Sequence, residues 1–392
     1  GCAPGTPLIA ETGGLNAMVV DSTALPEQAI RDILASAFQS AGQRCSALRC
    51  LYLQEDIAPA FTEMLKGAMD ELALGDPWDL ATDIGPVIDA AAKDKITAHV
   101  ARAEAEGRVI HRLGEPEAGV FVAPTLIRVS GIADLGEEIF GPVLHLATFR
   151  AGNLDGVIAD INATGYGLTF GLHTRIDDRV QAAAQAVRVG NIYANRNQIG
   201  AIVGSQPFGG EGLSGTGPKA GGPHYLTRFT ATPVPRADAR PEGEADPAAL
   251  TRSLGTVSED RVLDTTLLPG PTGELNRLTT LPRAPLLCLG PGAEAATAQV
   301  AAVEALGGRA VAVDAALDPQ LLVSLPAMGG VLWWGDPGHG RALARALAER
   351  PGPIVPLITG RPDAGHAVLE RHLCVDTTAA GGNASLLAGG GD

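Results

Sequence analysis

The first reactive group this sequence offers is a cysteine between an arginine and a serine, in Gly42-Gln43-Arg44-Cys45-Ser46-Ala47. A thiolate is the nucleophilic form of cysteine, and nearby positive charge favours it. Arg44 carries such a charge. Read alone, Cys45 fits a buried core thiol better, because unpaired cysteine is among the most buried residue types. Glu11 stands 34 residues earlier (45 − 11), in Glu11-Thr12-Gly13-Gly14. A carboxylate between an apolar run and a glycine pair could be a desolvated general base, or simply a solvated acid at a strand end. Glu137-Glu138-Ile139-Phe140-Gly141-Pro142 follows, with Glu138 93 residues after Cys45 (138 − 45). An acid and an aromatic two apart could face one ligand, or belong to an ordinary Gly-Pro turn. Last comes Gly200-Ala201-Ile202-Val203-Gly204, with Gln206-Pro207-Phe208-Gly209-Gly210. Its glycines let backbone N–H groups approach an anion such as a carboxylate, or make it a plain connecting loop.

These groups need elements to hold them. Leu15–Val20 reads as a strand. Pro26–Ser40 reads as a helix ending just before Cys45, with Ile30, Ile33, Leu34, Ala37 and Phe38 at helical spacing. Leu51–Leu53, Val143–Phe149 and Asn191–Ala194 read as strands, and Ile57–Leu72, Ala90–Glu106 and Asp177–Val189 as helices. Alternating strands and helices predict an α/β fold. The stretch 233–253, rich in Pro, Ala and charge, reads as a linker. Beyond it Pro285–Leu289, Arg309–Val313, Gly330–Trp333 and Pro353–Ile358 read as strands, with helices over Ala293–Leu306 and Arg341–Arg350. That is a second α/β unit.

Composition narrows the classes. The chain has 392 residues, enough for two or three domains, and 45% are hydrophobic. A net charge of −15, from 29 basic and 44 acidic residues with no basic cluster, argues against nucleic acid as partner and against an anionic membrane face. No apolar run is long enough for a transmembrane helix, and the start has neither a Met nor a signal-peptide pattern. It reads as the back part of a longer protein. Five scattered cysteines and eight dispersed histidines predict neither a disulfide framework nor a metal site, and fit a reducing cytoplasm.

Taken together, in this order and spacing, the four motifs resemble the aldehyde dehydrogenase superfamily, and within it the Δ1-pyrroline-5-carboxylate (glutamate semialdehyde) dehydrogenases. The resemblance covers about residues 1–235. It implies an aldehyde dehydrogenase catalytic domain with its cofactor fold mostly upstream. It implies Cys45 as nucleophile and Glu11 as the base that activates water against the thioester. Glu138, Phe140 and Gly13 fall at positions that hold NAD. Arg44, Ser46, Gly200, Ala201 and Phe208 fall at positions that hold the substrate and its carboxylate. The implied reaction is NAD-dependent oxidation of L-glutamate 5-semialdehyde to L-glutamate. Another semialdehyde, or a non-catalytic assembly role for this stretch alone, stays open. Many relatives carry Ser where this chain has Ala201, which removes a hydroxyl contact worth ~1 kcal/mol.

The run Gly209–His224, Thr164-Gly165-Tyr166-Gly167-Leu168-Thr169 and the end Thr377–Leu386 resemble the long members of the bifunctional proline utilization A family. That resemblance implies residues 1–224 as the catalytic part, 225–235 as an oligomerisation strand, 236–253 as a linker and 254–392 as a degenerate Rossmann-like cap. It implies a homo-oligomer, such as a dimer, and FAD only on a proline dehydrogenase domain that these residues do not include. One pattern competes with it. Gly290-Pro291-Gly292-Ala293-Glu294-Ala295 after a strand, with Asp314 24 residues on (314 − 290), approaches a dinucleotide fingerprint. Pro291 has no N–H to offer a phosphate, which favours a fold that has lost its ligand.

Overall fold

In a computed structural model of the chain, residues 6–230, 232–239, 241, 243–255 and 261–378 are described. They form two compact units. One contains residues 12–205, 268–276 and 373–378, the other residues 6–11, 206–267 and 277–372.

The first unit holds the strands β1 (Asn16–Val20), β2 (Leu48–Gln54), β3 (Val109–Arg112), β4 (Thr125–Arg128), β5 (Val143–Phe149), β6 (Tyr166–Gly167), β7 (Thr169–His173) and β8 (Asn191–Ala194). Seven of them lie side by side in the order β3-β4-β5-β2-β1-β7-β8. All neighbours are parallel except β3 and β4. Every residue of β1 and β2 is buried, as expected of central parallel strands covered on both faces. The helices α1 (Pro26–Phe38), α2 (Ala58–Asp70), α3 (Ala90–Ala105), α4 (Leu154–Ala163) and α5 (Asp177–Ala186) complete the unit.

Helix α1 begins at Pro26, whose fixed φ suits a first turn. It buries Ile30, Ile33, Ala37 and Phe38, the stripe expected from their spacing. Its end matters most for the site. Ser40, Ala41 and Gly42 are consecutive left-handed residues with φ of 57°, 52° and 65°. They turn the chain abruptly out of the helix and into the Cys45 loop. Gly42 is required there, since a Cβ would run into the backbone carbonyl of Gly141.

The second unit carries a separate four-stranded sheet, ordered Ala310–Ala312, Leu286–Cys288, Gly330–Leu332, Leu357–Ile358 and parallel throughout. Helices Gly292–Glu304 and Pro337–Glu349 accompany it, and Leu287, Val331, Trp333 and Leu343 form its core.

Several elements differ from expectation. Leu226–Phe229, expected to be a bridging strand, is a single 3₁₀ turn closed by Arg228 N–H donating to the Tyr225 carbonyl. Its apolar residues Leu226 and Phe229 are three apart, a helical period rather than a strand's. The expected linker contains the helix Pro247–Gly255, which buries Leu250 and Leu254 four apart in the core. Two nine-residue strands, Glu274–Pro282 and Val368–Asp376, escape the sequence reading, because charged residues interrupt their apolar pattern. The stretch Ala379–Leu386 of the C-terminal resemblance lies outside the described residues, as do residues 1–5.

Candidate active site around Cys45

Of the candidate residues of the first unit, Gly13, Arg44, Cys45, Ser46, Glu138 and Phe140 precede the amino ends of β1, β2 and β5, whereas Gly200 and Ala201 follow the carboxyl end of β8. In open parallel sheets ligands usually meet the carboxyl ends. What makes the amino ends usable is a set of side chains that fix the loops there.

Cys45 lies in the loop between the α1 turn and β2 and is partly exposed, while Ser46 is buried. Asn16, the first residue of β1, is 1% exposed. Its Nδ2 donates to the Cys45 carbonyl at 2.7 Å and to the Ala47 carbonyl at 2.9 Å. Its Oδ1 accepts from Thr169 N–H at 3.1 Å. Gln198 Nε2 and Thr169 Oγ1 donate to the Ser46 carbonyl at 3.2 and 3.3 Å. Three buried side chains from different strands and loops therefore hold the carbonyls of Cys45 and of the two residues that follow it. Orphaned buried carbonyls are expensive, so this loop has one well-defined geometry. Arg44 points its Nε to Ser40 Oγ at 3.2 Å, at the end of α1.

Glu138 and Phe140 sit on the turn that enters β5. Glu138 is held by both oxygens. Oε2 accepts from Gly14 N–H at 3.2 Å, and Oε1 pairs with Arg49 at 3.1 Å. A Cβ at Gly13 would stand 2.5 Å from Glu138 Oε2, so this glycine gives the carboxylate its room. Phe140 is 44% exposed and offers a ring face. Gly200, at φ 73°, is exposed and Ala201 partly so, in the loop after β8.

Glu11 and Phe208 lie in the second unit. Glu11 pairs across an isolated bridge with Gly215, fixed by Thr216 N–H donating to the Ala10 carbonyl at 3.0 Å. Phe208 and Ala220 exchange backbone hydrogen bonds of 3.0 and 2.8 Å. Between these two bridges falls Lys219, 3% exposed, with its Nζ on the Gly209 carbonyl at 2.5 Å and its N–H on Glu370 Oε2 at 3.0 Å. Burial pulls its ammonium down to about 7, against the opposing charges of Glu370, Glu211 and Glu11.

The sequence reading missed Asn16, Arg49, Gln198 and Lys219. A signal existed for the first two, since each is a lone polar residue within an apolar strand run. Gln198 had none.

The dinucleotide-like loop of the second unit is closed on itself. Gln299 Oε1 accepts from Gly290 N–H and its Nε2 donates to the Gly290 carbonyl, both at 2.9 Å. Beside it, a crevice of about 390 Å³ is lined by Leu289, Pro291, Leu317, Trp333 and Asp336. Asp336 already caps the following helix through His339 N–H at 2.7 Å. An acid there opposes a phosphate. Among the described residues no group of three or more His, Cys, Asp or Glu could hold a metal ion, and no helix is long and apolar enough to cross a membrane.

The profile of the Aldehyde dehydrogenase family matches residues 2–234. The Escherichia coli (strain K12) bifunctional protein PutA is 44% identical, over 97% of this chain and 33% of its own length. The 1-pyrroline-5-carboxylate dehydrogenase of Bacillus cereus (strain ATCC 14579) is 42% identical, over 56% of this chain and 43% of its own. Among solved structures, Bradyrhizobium japonicum proline utilization A superposes with a TM-score of 0.56 at 58% identity, covering 57% of this chain and 23% of that one. A Thermus 1-pyrroline-5-carboxylate dehydrogenase with bound NAD gives 0.53 at 35% identity, covering 56% of this chain and 43% of that one. The chain spans about a third of the length of the PutA relatives it matches.

Proposed function

The chain belongs to the aldehyde dehydrogenase family, and on that premise we propose that it supplies the catalytic cysteine of a Δ1-pyrroline-5-carboxylate dehydrogenase within a bifunctional proline-degrading polypeptide. Its substrate is L-glutamate 5-semialdehyde and its product L-glutamate. The observation that carries this reading is the Cys45 loop. A partly exposed thiol is set on a backbone whose neighbouring carbonyls are all held by buried donors. Such fixation suits a nucleophile that must meet a carbonyl carbon at one angle.

The residues that would hold NAD fit it at the nicotinamide ribose end. Glu138 is an anchored acceptor for hydroxyls, Gly13 clears space beside it, and Phe140 is 44% exposed. NAD, when bound, accepts the hydrogen and two electrons of the aldehyde carbon. Cys45 attacks that carbon, forming the C–S bond while the carbonyl π electrons move to oxygen. Oxidation turns this adduct into a thioester on Cys45. Glu11 then takes a proton from water, the resulting hydroxide attacks the thioester carbonyl, and the C–S bond breaks to return the thiolate. Dividing the oxidation into acylation and deacylation is the gain from a covalent nucleophile. Gly200 and Ala201 present backbone N–H groups, and Arg44 a cation, to the substrate's own carboxylate, with Phe208 packing on its chain.

The test is turnover of a polypeptide in which the rest of the cofactor fold precedes this chain. Pyrroline-5-carboxylate should be oxidised with a far higher kcat/KM than an aldehyde of equal length without a terminal carboxylate. Indifference to the carboxylate would refute the substrate assignment. NADH formation that survives Cys45→Ala would refute the nucleophile.

A further inference from the structure

Arg49 is the second residue of β2, flanked by Leu48, Cys50 and Leu51, and is itself 0% exposed. A guanidinium in such a place carries a heavy desolvation cost, and an aliphatic residue would fill a central strand more cheaply. Its contacts show what the charge is spent on. Nη2 donates to the Arg44 carbonyl at 3.1 Å, immediately before Cys45. The same nitrogen pairs with Glu138 Oε1 at 3.1 Å. Nη1 donates to the Gly141 carbonyl at 3.2 Å, and the guanidinium lies 5.3 Å from the centroid of the Phe140 ring. Its Nε is buried without a hydrogen-bond partner. One rigid fork thus reaches the loop before Cys45 on one side. On the other it reaches the carboxylate, the ring and the backbone of the Glu138–Gly141 turn.

We infer that Arg49 is a positioning residue that fastens the Cys45 loop and the Glu138–Phe140 turn into a single unit. The roles of those two turns rest on the function proposed above. Only an arginine meets the geometry, since lysine offers a point charge and cannot reach three acceptors and a ring face from one planar group. The positive charge also lies where it favours the thiolate form of Cys45. Burial works against that charge and Glu138 sustains it. The two halves of the site are therefore coupled, and loosening Arg49 disturbs both.

Two readouts test this, and neither is turnover alone. In the 392-residue chain, iodoacetamide alkylation of Cys45 is followed across pH by mass spectrometry of its peptide. Arg49→Met should slow alkylation at neutral pH about tenfold and move its midpoint upward, as expected when a charged hydrogen-bonding partner is lost. Arg49→Lys should restore the alkylation midpoint, because the charge returns. In the cofactor-complete enzyme the same lysine variant should raise KM for NAD about tenfold with a smaller change in kcat, because the fork on Glu138 is lost. An unchanged alkylation profile in a folded Arg49→Met chain would overturn the inference. If that variant does not fold, a wild-type KM for NAD in Arg49→Lys would overturn it instead. Should the enzyme prove inactive on the semialdehyde, the function proposed above fails, while the alkylation arm still decides the role of Arg49.

Discussion

The two larger sheets among the described residues share a plan and differ in how they use their strand ends. In the first unit a glycine-containing loop precedes β1 and another precedes β2. The polar side chains around them reach across to neighbouring loops, as Asn16 does to Cys45 and Ala47, and Arg49 to Glu138. In the second unit a glycine loop follows Leu286–Cys288, and Gln299 closes it locally by taking both polar groups of Gly290. One arrangement fixes the backbone at Cys45 and leaves that residue partly exposed. The other satisfies the polar groups of its own glycine, Gly290. A strand–glycine–helix pattern therefore specifies a fold, and the destination of its polar groups specifies whether there is a site.

Substitutions can break this contrast, beginning with the largest effect. Cys45→Ala in the cofactor-complete enzyme should lower NADH formation from pyrroline-5-carboxylate by at least ~10³-fold, since no second nucleophile is available to form the thioester. Asp314→Asn and Asp336→Asn, in the second unit, should leave kcat within about twofold, the result expected of acids that serve no bound cofactor. Steady-state kinetics on the three variants compares the regions directly.

Asn16→Ala should come next. It leaves the Cys45 and Ala47 carbonyls without donors in a buried setting, a loss of ~2–3 kcal/mol, visible as a lower denaturant midpoint. Activity should fall with it. Gln299→Ala should cost a similar or smaller stability, ~1–2 kcal/mol, with turnover unchanged. A matching loss of activity in both would erase the distinction between the units.

Acid supplies a gentler probe. Burial holds His145 neutral down to about 4, against an ordinary 6.5, with its Nδ1 on the Arg49 carbonyl and its Nε2 on His99 Nε2, both at 2.9 Å. Below pH 6.5 the unfolded chain takes up the proton first. The stability contributed by neutral His145 is therefore complete above 6.5 and lost as pH falls towards 4. Urea unfolding over that range should show a flatter slope for His145→Gln. The smallest effect belongs to the exposed Lys95–Glu137 pair at 2.8 Å. Lys95→Ala should change stability by less than about 0.5 kcal/mol.

Much of the architecture was legible in the chain. Helix α1 followed from its 3.6-residue stripe, and β1, β2, β5 and β8 from short apolar runs, whereas β7, between β1 and β8, was not read as a strand. The strands Glu274–Pro282 and Val368–Asp376 were not legible. They carry Glu274, Arg277, Glu370 and Arg371, whose ion pairs and burial depend on distant partners such as Arg196 and Glu211. In the site, Cys45, Glu138 and Phe140 were visible as residues, but their support was not. Gln198 reaches Ser46 over 152 residues of sequence, and no local pattern encodes such a contact.

The central claim is that a covalent acyl group forms on Cys45 and that Glu11 is needed to release it. The direct test incubates a cofactor-complete Glu11→Gln enzyme with pyrroline-5-carboxylate and NAD, quenches in acid, and maps the adduct by peptide mass spectrometry. The account predicts a glutamyl thioester on the Cys45 peptide that accumulates because deacylation is slow. Rapid turnover by this variant with no adduct, or an acyl group on any other residue, would contradict it.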